Sequence, residues 1–178
     1  MKWESSNKNR QGKGRPAFPA FAYALLFTIL LFSFPVRYLA ATDAASARSL
    51  KSWLLFGQRS FTISYIHSVE LTEVREVYRI EQDDIYLSET VFFSYGAGLP
   101  STTPYSFEMT EEGFRIYDID EKVDPLIYRT GAVRADHRLI IGARDIPFLD
   151  FSQPAEAVMF QSRKSPFIIF LIKEFFYE

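Results

Sequence analysis

The chain has 178 residues, no cysteine, two histidines, 48% apolar and 17% aromatic residues, and a formal net charge of −2. That length fits one domain with an appendage. The lack of cysteine excludes disulfides, thiol catalysis and every cysteine-based zinc or iron–sulfur site, and two histidines cannot build a three-histidine metal site. The near-neutral balance argues against a nucleic-acid binder, which carries a strong basic excess.

The charge is unevenly placed. Residues 1–15 carry Lys2, Lys8, Arg10, Lys13 and Arg15 against Glu4, whereas residues 53–178 carry 12 Lys and Arg against 20 Asp and Glu. Between them, residues 16–36 (PAFPAFAYALLFTILLFSFPV) hold no charge over 21 positions. About 20 apolar residues are needed to cross the hydrocarbon core as a helix. Pro16 and Pro19 suit a helix entry, and Pro35 ends or kinks it. Cations ahead of the apolar run keep the N-terminus cytoplasmic by the positive-inside rule.

Two readings of this segment stand side by side. It is an uncleaved single-span anchor, or a signal removed near Ala45-Ser46-Ala47, which would leave a secreted body. Both put the body outside the cytoplasmic membrane. The organisation read from sequence is a basic cytoplasmic head (1–15), a transmembrane anchor or signal segment (16–36), a stalk (37–52) and an extracytoplasmic β domain (53–178). A short helix over 43–54, capped at Thr42 or Asp43, is expected to continue the stalk.

The body alternates with period two, which marks strands. In 60–69, Phe61, Ile63, Tyr65, His67 and Val69 share one face. In 73–80, Val74, Glu76, Tyr78 and Ile80 share one face. A short link around Glu70 and Leu71 makes an antiparallel hairpin. Further strands are predicted at 84–94, 114–118, 125–130, 138–142, 145–149, 156–161 and 167–172, separated by Gly, Pro and Asp turn signals. The last of these is apolar throughout and reads as a strand buried on both faces; a membrane-surface contact is the rarer alternative. The fold class is mainly β, an antiparallel sandwich or partly open barrel, preceded by one N-terminal transmembrane or signal helix.

Two features carry candidate chemistry. His67 and Glu76 fall on the apolar faces of their strands, so a two- or four-residue loop makes them neighbours. A carboxylate there needs a partner, and it would orient the imidazole. Such a pair is either a hydrogen bond that locks the hairpin or a ligand- or proton-handling site. Ser68 points to the opposite face from His67, which makes a dyad with it a weak candidate. The second feature is Gly96-Ala97-Gly98-Leu99-Pro100. Gly96 and Gly98 permit positive φ or close backbone approach, and Pro100 holds Leu99 extended. It reads as a tight loop exit or a concavity of backbone N–H groups for an anion or a partner's chain. The polar loop that follows, to Tyr105, extends the candidate binding region. His137, in a polar turn before a strand, is a weak candidate. No metal set, cofactor motif or catalytic residue is assigned.

The run Ile66-His67-Ser68-Val69-Glu70, then Val74, Glu76 and Tyr78, then Tyr95-Gly96-Ala97-Gly98-Leu99-Pro100, resembles a bacterial family of exported proteins, domain of unknown function 1850. The resemblance covers roughly residues 53–150 and is looser over 138–150. Glu73 stands where the family pattern has a proline. The resemblance implies a short apolar N-terminal segment and a small β domain, often encoded beside tripartite TRAP transporters of the TAXI subgroup. It therefore implies an accessory role beside a transporter membrane subunit or solute-binding protein, and names no reaction. The expected function is a membrane-tethered accessory or binding protein. The alternatives are a small envelope enzyme using Glu76 and His67 as acid and base, or a structural assembly module recognised through a sheet edge.

Overall fold

The computed structural model describes residues 20–93, 103–111, 113–123, 125–131 and 134–176. They fall into two units, divided after Phe34.

The first unit contributes helix α1 (Ala20–Ser33), which carries no charged side chain. Its large apolar groups, from Phe21 to Leu30, are exposed. At 1.5 Å per residue the 14 described residues of this helix run about 21 Å. Among the described residues no helix is long and apolar enough to cross a membrane. The helix does not carry on to the end of the uncharged run of 16–36. The run is divided at Pro35, which has no N–H to continue a helix and opens a strand instead.

Among the described residues the second unit holds eleven strands, all paired antiparallel. In chain order they are β1 (Pro35–Asp43), β2 (Ser49–Leu54), β3 (Ser60–Ile66), β4 (Glu73–Glu81), β5 (Asp84–Phe92) and β6 (Ser106–Thr110). Then come β7 (Gly113–Lys122), β8 (Leu126–Arg129), β9 (Arg138–Ile141), β10 (Arg144–Pro147) and β11 (Ala157–Pro166), followed by helix α2 (Phe167–Phe176). One sheet has the order β2-β1-β11-β8 and the other β10-β9-β3-β4-β5-β7-β6. Among the described residues neither sheet closes into a barrel.

The sheets share a core. Leu39, Trp53, Val158 and Phe160 of the smaller sheet meet Phe61, Ile63, Ile80 and Leu139 of the larger one. Alternation produces this, because each strand sends every second side chain inward. The larger sheet carries a second cluster, Val74, Phe92, Ile116 and Ile119, on its β4-β5-β7 half.

Two segments contradict the sequence reading, and β6 is a strand it did not predict. The stretch read as a stalk with a short helix holds most of β1 and most of β2, inside the smaller sheet. β1 is covered on both faces: Leu39 and Ala41 enter the shared core, while Tyr38 and Ala40 pack with Phe170 of α2. A doubly covered strand loses alternation and reads as a plain apolar run. The expected strand at 167–172 is the first part of α2. Six apolar residues do not distinguish a strand from a buried helix by period alone. Spacing decides it, for Phe167, Phe170 and Leu171 lie three and four residues apart and pack against the sheet together.

Candidate functional site: a carboxylate held between the sheets

β4 places Val74, Glu76 and Tyr78 on the inner face of the larger sheet, as alternation requires. Glu76 pairs across the ladder with Ile63. Three phenols converge on its carboxylate. The Tyr78 hydroxyl donates to Oε2 at 2.9 Å, and the Tyr65 hydroxyl reaches Oε1 at a long 3.5 Å. The Tyr128 hydroxyl also donates to Oε2, from β8 of the smaller sheet. The Tyr78 and Tyr128 hydroxyl oxygens lie 2.6 Å apart. A carboxylate taken from water needs such donors.

Burial pushes the Glu76 carboxyl above its ordinary 4.5, and the bonds from Tyr78 and Tyr65 oppose that shift. Burial first, then the nearby Glu76 charge, push the Tyr65 and Tyr78 phenols up, so both remain protonated donors.

The histidine beside this cluster is His137. Its ring stacks on Tyr65 with centroids 5.3 Å apart, meets Tyr128 edge-on at 5.9 Å and lies 5.5 Å from Phe148. Its Nδ1 accepts the Gly131 N–H at 3.1 Å. Burial lowers its pKa below the ordinary 6.5, against the pull of Asp136. The neutral imidazole is thus the favoured form. A Cβ at Gly131 would fall 2.5 Å from the Ala135 Cβ and 3.2 Å from the His137 Nδ1, so only glycine fits beneath the ring.

His67 is not brought to Glu76. The observed register pairs Ile66 with Glu73 and leaves a loop over 67–72, longer than either loop expected. Its Nδ1 accepts the Val69 and Glu70 N–H groups at 3.4 and 3.2 Å, capping its own turn. Glu76 pairs four residues back from His67 along the ladder, about 13 Å at the strand rise. Ser68 is exposed in the same turn. Gly96, Gly98, Leu99 and Pro100 lie outside the described residues. Of the neighbouring loop, Tyr105 donates its hydroxyl to Glu121.

Sequence reasoning placed Glu76 inward but missed Tyr65 and Tyr128 as its partners. The available signal was a phenol on the inner face of each strand, since a buried phenol needs a partner for its hydroxyl. It also missed a cleft of about 380 Å³ bordered by Arg79, Ser88, Glu89, Arg115 and Asp120. The cleft forms where β7 bulges opposite Ser88. Its cations are engaged: Arg115 bridges Glu89 and Glu108 at 2.6 Å each, and Arg79 holds Asp120 at 2.6 Å.

Among the described residues no group of three His, Asp or Glu side chains is arranged to hold a metal ion. The arrangement gathers three phenols on one half-buried carboxylate and ties two sheets together. A family model described as a domain of unknown function (DUF1850) matches residues 61–148. The matched stretch runs from within β3 past β10, so it includes Tyr65, Glu76, Tyr78, Tyr128 and His137 but excludes β1, β2, β11 and α2. No curated protein and no solved structure matches the chain.

Proposed function

We propose that this chain, which belongs to the domain of unknown function 1850 family through residues 61–148, is a membrane-tethered accessory protein. Its N-terminal apolar segment holds it at the membrane, its β body lies on the extracytoplasmic side, and it assists a solute transporter of the TRAP-TAXI type. One observation carries the tether. An uncharged helix with exposed apolar side chains feeds into β1 at Pro35 without a polar linker. Such a surface is unfavourable in water. The basic residues ahead of it favour a cytoplasmic N-terminus. Tethering raises the local concentration of the body at a membrane partner.

The Glu76 cluster supports a binding or scaffolding role over an acid–base enzyme. Its carboxylate is occupied by phenols, and His67 is spent on its own turn. The transporter context rests on the family resemblance. The test is purification of the full-length chain from its native membranes in mild detergent, followed by mass spectrometry of what accompanies it. Enrichment of a multi-pass transporter subunit or an exported solute-binding protein is the expected result. Release of the chain from membranes by alkaline carbonate without detergent would overturn the tether. Membrane retention with no transporter component enriched would overturn the accessory role.

A further inference from the structure

α2 is a two-faced helix with only one face covered. Phe170, 6% exposed, sits with its ring 5.1 Å from that of Tyr38, and Phe167 and Leu171 pack beside it. The opposite face presents Ile168, Ile169, Ile172 and Phe175, exposed at 40, 42, 42 and 79%. Residues 168, 172 and 175 follow a four- and three-residue spacing, and 169 fills the side of the same stripe. At ten residues the helix is about 15 Å long and cannot span a bilayer.

Two observations indicate what covers this face. The first is where α2 begins. Pro166, the residue before it, is the ladder partner of Pro35, where the apolar N-terminal segment joins the body. A bilayer that takes up that segment therefore meets the body at the end of β1 and β11 from which α2 starts. The second is local charge. Over 157–178 the chain carries Arg163, Lys164 and Lys173 against Glu174 and Glu178, in a body where acids outnumber bases. Arg163, Lys164 and Lys173 are exposed. An apolar helical face with Lys173 on the same helix and Arg163 on the strand face that α2 covers is suited to lying in the headgroup region of an anionic bilayer.

We propose that α2 is an interfacial helix that lies in the surface of an anionic membrane, with Ile168, Ile169, Ile172 and Phe175 dipping among the acyl chains. This rests on the tether proposed above and adds to it an orientation: the smaller sheet faces the bilayer through α2. The β10 edge of the larger sheet would then stand clear of the lipid.

The cysteine-free chain allows a direct test. Full-length I172C and F175C, each carrying an environment-sensitive fluorophore, are reconstituted in phosphatidylethanolamine–phosphatidylglycerol vesicles with brominated acyl chains. R144C on exposed β10 is the reference. The expected result is flotation of all three proteins with the vesicles, loss of fluorescence at 172 and 175, and none at 144. Ile172→Glu in the F175C background should restore the signal at 175 while flotation persists. Flotation with no quenching at 172 and 175 overturns the interfacial helix and leaves the tether standing. Failure to float overturns both. Crosslinking of two I172C chains through 172, with no lipid quenching, assigns the face to a second copy and likewise overturns the proposal.

Discussion

The Tyr128 hydroxyl donates to Oε2 of Glu76, and this bond joins the two sheets of the body. Tyr78, beside Glu76 on β4, bonds the same oxygen and approaches the Tyr128 hydroxyl, so the junction is a closed set of donors on one carboxylate. Tyr128→Phe removes the cross-sheet bond and leaves the ring in place. A hydrogen bond to a charged group contributes about 1.5–3 kcal/mol, so the variant should be less stable by about 2 kcal/mol in urea unfolding. An unchanged midpoint would show that the junction carries no net stability.

Glu76 should weaken the fold as pH rises. Its folded-state pKa lies above the ordinary 4.5, so the folded protein holds that proton more tightly than the unfolded chain. The resulting stability is full below 4.5 and is lost as pH rises through the raised value. Between pH 4.5 and neutrality the wild-type urea midpoint should therefore fall relative to that of Glu76→Gln. Parallel profiles for the two proteins would contradict the raised pKa.

His137 acts in the opposite sense. Its folded pKa is below 6.5, so its contribution is present above 6.5 and is lost as pH falls through the depressed value. His137→Asn keeps an acceptor near the Gly131 N–H and removes the titration. The variant should show a flatter stability profile below pH 6.5 than the wild type. The His137 proton resonances of the wild type, followed by NMR, should titrate below 6.5.

Gly113 opens β7 with φ of +107°, and a Cβ there would fall 2.6 Å from the Phe92 carbonyl oxygen. Backbone of that kind costs of order 1–3 kcal/mol for a residue with a side chain. Gly113→Ala should destabilise the body by about that amount. Amide exchange should quicken first along β6 and β7, the edge pair that this turn joins.

Phe170→Ala tests how α2 is held. Removing a buried phenylalanine costs about 3–5 kcal/mol where the site cannot collapse. Here the lower end, about 3 kcal/mol, is expected, because only Tyr38, Ala40 and a few partly buried side chains surround it. Protease cleavage within 167–176 should appear before cleavage of the β body. Cleavage of both at the same rate would show that α2 and the sheet unfold as one.

Much of the architecture was legible because period-two alternation survives wherever a strand has one wet face. β3, β4, β5, β7, β8, β9 and β10 were each anticipated near their observed bounds, as was the inward turn of Glu76. β1 was not, because a strand covered by the core on one side and α2 on the other has no wet face to alternate with. α2 was misread for a related reason, since an apolar run pressed against a sheet carries its helical period only in which side chains are covered.

The uncharged N-terminal run, the acidic body, the antiparallel β class and the presence of a carboxylate facing inward can all be read along the chain. These follow from local patterning, which one-dimensional spacing records. Which histidine stands near that carboxylate is a matter of long-range packing. The choice of His137 over His67 depends on the length of the 67–72 loop and on β8 of the opposite sheet bringing Tyr128 across to Glu76. Tyr128 and Glu76 are 52 positions apart in the chain, and no local period records a contact made across two packed sheets.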